Sequence, residues 1–198
     1  KTKKKKKKKM RNLFPILMLI TNLSLNNDSS NNNDNNNIIY TTCRATPNYS
    51  LCVTTLQSDP RSYAAAAKGG GGNDGDNEDI TTTLALVMVD AVKLKTIKIM
   101  EKLKELENSN PEWRVPLSQC YVAYYAVLRA DVSVAVEALK RGVPKFAENG
   151  MDDVVVEAQT CEYSFNNYNN KLVSPISDMN KDIIELSKVA KAIIRMLL

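Results

Sequence analysis

Residues 120–161 read CYVAYYAVLRADVSVAVEALKRGVPKFAENGMDDVVVEAQTC, and the organisation of the chain follows from them. Apolar residues on the N-terminal side fall at Leu117, Tyr121, Tyr124, Leu128, Ala135 and Leu139; on the C-terminal side they fall at Val154, Ala158, Cys161, Phe165 and Tyr168. Steps of three and four mark one face of a helix, so the stretch predicts two antiparallel helices. Gly142-Val143-Pro144-Lys145-Phe146-Ala147-Glu148-Asn149-Gly150 supplies the reversal. Each helix carries one cysteine. A Cys120–Cys161 bond would lock the hairpin and display Pro144-Lys145-Phe146 at its tip.

The net charge of +5 belongs to one end of the chain. Eight lysines and Arg11 lie in the first 25 residues, and removing those nine charges leaves −4. The body is mildly acidic, which argues against nucleic acid as a partner. There is no histidine, which removes the ordinary acid–base switch near neutrality, the Ser-His and Cys-His nucleophiles and the imidazole metal site. No cofactor, metal or catalytic residue is expected.

Lys1 to Lys9 precede the first methionine and read as a non-native leader (residues 1–9), with Met10 as the start. Residues 10–25 read as a signal peptide. Its apolar run, Leu13 to Ile20, is too short to span a bilayer, so no membrane association is expected once it is removed. Residues 26–37 form an asparagine-rich leader with almost nothing to bury. The fold proper is then 38–198, divided into a helical hairpin (38–68), a flexible loop (69–79) and a bundle (80–198). Asn22, Asn27 and Asn48 head glycosylation acceptor patterns, and only Asn48 falls in the ordered part.

Four cysteines behind a signal sequence predict disulfides in a secreted protein. Three pairings exist, and Cys43–Cys52 with Cys120–Cys161 is favoured because each bond closes a local hairpin. The longer loop contributes roughly 4 kcal/mol and the shorter about 3 in the chain-entropy account. Ile38 to Ser62 suggests two short helices closed by the first disulfide, with Asp59-Pro60 ending the unit; Ala64 to Ala67 could continue a helix, which Gly69 to Gly72 break. In the loop, Asp74, Asp76 and Glu78 have the spacing of a calcium site. The turn-glycine position is Asp79 and the closing position Ala85, so the site is rejected.

Thr83 to Asn108 predicts a long helix with a stripe at Met88, Val92, Ile99, Leu103 and Leu106. A second starts near Pro116, with a kink or restart at Asp131. The third begins near Asp152-Asp153, and the fourth carries Met179, Ile183, Leu186, Ala190, Ile193 and Leu197. Tyr121, Tyr124 and Tyr125 are read as packing residues. The expected fold is all-α: an antiparallel four-helix up-down-up-down bundle with an N-terminal disulfide-closed helical hairpin.

Several motifs resemble the plant invertase and pectin methylesterase inhibitor family. They are Cys43-Arg44-Ala45-Thr46-Pro47-Asn48-Tyr49-Ser50-Leu51-Cys52, Ser58-Asp59-Pro60-Arg61-Ser62, Cys120-x3-Tyr124 and Thr160-Cys161-Glu162-x2-Phe165. The likeness spans Ile38 to Leu198 and looks nearest to invertase inhibitors that include a plane-tree pollen allergen. It departs from the family pattern at Ser187, where many relatives carry a fifth cysteine, and in the glycine-rich loop.

The resemblance implies a monomeric inhibitor secreted to the apoplast or cell wall, or sent to the vacuole. Its target would be an acid invertase, with Pro144, Lys145 and Phe146 as the target-binding residues. It equally admits inhibition of pectin methylesterase through a bundle face, or a pollen or seed protein that has lost its target. Nothing in the resemblance makes the chain an enzyme.

Overall fold

The computed structural model describes residues 38–68, 80–168 and 172–198, and all regular structure among them is helical. The expected leader (1–9), signal peptide (10–25), asparagine-rich leader (26–37) and loop (69–79), with Asn22, Asn27 and the calcium positions Asp74, Asp76, Glu78 and Asp79, lie outside the described residues, whereas Ala85 is buried in α4. The elements are α1 (38–44), α2 (Tyr49–Gln57), α3 (Pro60–Lys68), α4 (Ile80–Ser109), α5 (Arg114–Ala126), α6 (Val132–Lys140), α7 (Pro144–Asn166) and α8 (Ser177–Ile194). A 3-10 turn at Pro111–Trp113 leads into α5, a π turn at Val127–Asp131 joins α5 to α6, and a 3-10 turn at Arg195–Leu197 follows α8.

Four long rods result: α4, the continuous α5–π–α6 unit, α7 and α8. Successive rods pack side by side and α8 closes back on α4. The core runs down the middle through Leu84, Met88, Ile99, Leu103, Tyr124, Met151, Phe165 and Ile183, all buried. The α4 stripe agrees with the sequence reading except at Leu106, which is only partly buried.

In the N-terminal unit the helical potential of Ala64 to Ala67 belongs to a third helix that begins already at Pro60. Cys43 and Cys52 are bonded, with Cα atoms 5.5 Å apart, and join α1 to α2. Asn48 caps α2 by accepting the Leu51 N–H at 3.1 Å. Asp59-Pro60 then starts a helix instead of ending the unit. Asp59 Oδ1 accepts the Arg61 N–H at 2.9 Å, and proline suits the first helical position because it has no N–H to leave unpaired. Arg61 also reaches Asp90 of α4 at 2.7 Å, fastening α3 to the bundle.

In the second rod the buried series is Leu117, Cys120, Tyr124, Val127, then Val132, Ala135 and Leu139. The five-residue step from Val127 to Val132 is the signature of the π turn, which inserts one residue and resets the inner face. Of the three tyrosines read as packing residues, only Tyr124 is inside; Tyr121 and Tyr125 are about half exposed. Tyr124 donates to Asn180 Oδ1 at 2.6 Å, and Asn180 Nδ2 contacts Cys161 Sγ at 3.5 Å, so one buried polar chain ties α5, α7 and α8.

The π turn is also where α7 comes closest. A Cβ placed on Gly150 would lie 2.7 Å from the Asp131 carbonyl oxygen, so this helical position must be glycine. Asp131 Oδ2 is buried without a hydrogen-bond partner. Its carboxyl is pushed up to about 6, first by burial and then by Asp153 and Glu157.

Two outcomes follow. Gly150→Ala should lower stability by about 1–3 kcal/mol, since the methyl must displace backbone, as read by urea denaturation. Asp131 favours its protonated form in the fold, so its contribution is greatest at acid pH and is lost as pH rises through about 6. Asp131→Asn should therefore stabilise by about 1–2 kcal/mol at neutrality and far less at pH 4. A gain of equal size at both pH values would contradict this.

Candidate functional site

The reversal that leads to Pro144 is shorter than the sequence suggests. α6 ends with Gly142 at φ 68°, the left-handed conformation that glycine adopts without strain. The Gly142 N–H donates to Leu139 at 3.1 Å and the Val143 N–H to Ala138 at 2.9 Å. This pair of bonds is a Schellman closure, and it satisfies two carbonyls at the end of α6. Pro144 immediately begins α7, its fixed φ matching the helix. α7 thus starts eight residues before the expected Asp152, and Pro144, Lys145 and Phe146 form its first turn instead of a loop tip.

The ring of Phe146 does not return to the core. It is 60% exposed at the end of the bundle. The Lys145 side chain is 65% exposed, but its ammonium is held at 2.6 Å by Oε2 of Glu148, three residues along the helix. Glu148 is only 3% exposed. Its other oxygen, Oε1, receives Arg195 Nε from the turn after α8 at 2.9 Å, with Lys191 Nζ at 3.9 Å. The Lys145 hydrogen bond, aided by the charges of Arg195 and Lys191, holds the Glu148 carboxyl below the ordinary range despite its burial.

Lys191 is itself bound to Asp152 at 2.7 Å. One buried acid thus joins the first turn of α7 to the end of α8, and an exposed ring and a cation stand beside it.

Cys120 and Cys161 are bonded, with Cα atoms 4.4 Å apart, but far from this corner. Cys161 stands about 25 Å along α7 from Pro144, at 1.5 Å per residue. The bond therefore fixes one end of the hairpin, while the Schellman turn, Gly150 and Glu148 shape the other. A groove of about 340 Å³ lies near the disulfide end, lined by Val115 and Gln119 of α5 and by Thr160, Tyr163 and Ser164 of α7. It includes none of the three tip residues.

Among the described residues no group of three or more Asp, Glu or Cys side chains converges as a metal would require. Among them, too, no helix is long and apolar enough to cross a membrane. Glu148 and Arg195 were not among the residues singled out from sequence. Extending the α7 stripe backwards from Val154 through Met151 would have placed Ala147 and Glu148 on the inner face. Arg195 carried no comparable signal, because its role depends on how α8 ends against α7.

Residues 37–193 match the profile of the plant invertase/pectin methylesterase inhibitor family. The chain is 36% identical over 156 residues to the Arabidopsis thaliana protein named "Cell wall / vacuolar inhibitor of fructosidase 1", covering 79% of this chain and 67% of that one. It is 26% identical over 150 residues to a "Putative invertase inhibitor" of Platanus acerifolia, covering 76% of each. A crystal structure of a mutant form of an Arabidopsis pectin methylesterase inhibitor superposes with a TM-score of 0.59 at 20% identity, over 81% of this chain and 97% of that one. At that identity the likeness establishes the fold alone. The profile match across most of the chain places it in the plant invertase/pectin methylesterase inhibitor family, a family of enzyme inhibitors and not of enzymes.

Proposed function

We propose that this chain inhibits a plant acid invertase (a β-fructofuranosidase) by lodging Lys145 and Phe146 in the catalytic pocket of the enzyme. The observation that carries the reading is an apolar ring left 60% exposed beside an ammonium at the end of a rigid bundle. A large exposed ring at a fixed position is the usual anchor of a protein interface. The name of the Arabidopsis relative supports the choice of target.

Glycoside hydrolases generally work with a carboxylate pair flanking a sugar-sized slot. Lys145 offers those acids a counter-charge, and Phe146 offers the slot a flat apolar surface. Pro144 and the helical first turn fix the backbone, so little entropy is lost on entry. Inhibition is reversible and competitive, and the inhibitor is not turned over. Action in the apoplast, cell wall or vacuole belongs to the same reading. So does a monomeric inhibitor, with Asn48 as a glycan acceptor whose Oδ1 already serves the α2 cap.

The second reading is pectin methylesterase inhibition. It is favoured by Val122, Val156 and Tyr163, which are more than half exposed on α5 and α7. Titrating both enzymes side by side separates the two. Lys145→Ala/Phe146→Ala, with helicity retained by circular dichroism, should weaken invertase inhibition by about a hundredfold or more. Undiminished inhibition by the folded double variant would reject the assignment. Inhibition of pectin methylesterase alone would replace it with the second reading, and inhibition of neither would leave a protein of this fold without either target.

A further inference from the structure

The ammonium that the proposed function sends into a pocket is already bound. Lys145 Nζ lies 2.6 Å from Glu148 Oε2, and Glu148 is nearly fully covered, with Lys145, Lys191 and Arg195 around its carboxylate. Glu148 therefore cannot follow Lys145 into a target. Leaving a buried carboxylate without its cation is strongly unfavourable, so an intramolecular pair of this kind should oppose docking.

The second oxygen removes that obstacle. Arg195 Nε lies 2.9 Å from Glu148 Oε1, on a separate oxygen from the one Lys145 uses. Lys191 is more distant, at 3.9 Å, and both oxygens of Asp152 already hold it at 2.7 Å. When Lys145 departs, Arg195 is the cation positioned to keep Glu148 compensated. Its own side chain is 64% exposed, so it can settle more fully on the carboxylate without a change of fold.

We infer that Arg195 is a positioning residue for inhibition, acting through Glu148. In the free protein Glu148 presets the Lys145 side chain, and on docking Lys145 passes to the acids of the target while Arg195 retains Glu148. This inference rests on the proposed function of Lys145, and it assigns no direct contact between Arg195 and the enzyme. The target side of the exchange is a carboxylate pair such as a glycosidase provides.

The test is a double-substitution cycle read as inhibition of an acid invertase, with Lys145→Ala as a control. Arg195→Gln should raise the inhibition constant about tenfold, because Lys145 then leaves behind an uncompensated acid. Arg195→Lys should restore most of the loss. In a Glu148→Gln background the same Arg195→Gln change should alter inhibition less than about twofold. Equal weakening in both backgrounds would show that Arg195 touches the enzyme itself and would overturn the inference, as would no effect in the parent. Undiminished inhibition by Lys145→Ala would instead remove the proposed function.

A second measurement needs neither the target nor the Glu148 variant. In the isolated protein, Arg195→Gln should slow reductive methylation of Lys145, followed by peptide mass spectrometry, by about threefold. Glu148 then has one fewer cation to share and grips Lys145 harder. An unchanged or faster rate would overturn the inference.

Discussion

Two helices joined by sulfur at one end and by a short turn at the other keep one freedom, rotation about their own axes. The approach of Gly150 to the Asp131 carbonyl removes it. With that register set, Ala147, Met151, Val154, Ala158, Cys161 and Phe165 all face the core, and Glu148 faces the end of α8. Phe146 is correspondingly left outside. The π turn makes the approach possible by offsetting the second rod by one residue where α7 must come close. The unpartnered Asp131 Oδ2 in the same turn is the local cost of that geometry.

Much of this was legible in the residues. The three-and-four stripes of α4 and α8, the placing of the cysteines and the Gly142 reversal require only periodicity and local conformational preference. Two of the departures share a cause. Pro60 suggests the end of a unit and Pro144 a loop tip, yet each opens a helix. The same residue type does both, and what decides is whether the preceding residues can close the previous helix, as Gly142 does here.

The misplacing of Tyr121 and Leu128 has a different origin. A one-residue insertion in a helix breaks strict periodicity at a point that depends on the neighbouring rod, not on local sequence. The ion cluster at Glu148 was invisible for a similar reason. A lysine and a glutamate three apart usually form a solvated pair worth tenths of a kcal/mol. This pair differs because the α8 end covers the acid.

The division of labour between the covalent and the ionic fastenings is physically sensible. A disulfide is strong but suits a place that does not move, and it lies at the base of the hairpin. Near Phe146 the fastenings are exchangeable ones between exposed cations and a buried acid. Their partners can change without disturbing the core.

Because that corner is assembled from the start of α7 and the turn after α8, it is discontinuous in sequence. A linear peptide copied from the turn would carry the phenyl ring and the amine, but not the guanidinium that stands beside them. Reproducing the corner in miniature therefore means transplanting two segments of chain and the scaffold that keeps them adjacent. Removing the turn Arg195–Leu197 would dismantle one half of it.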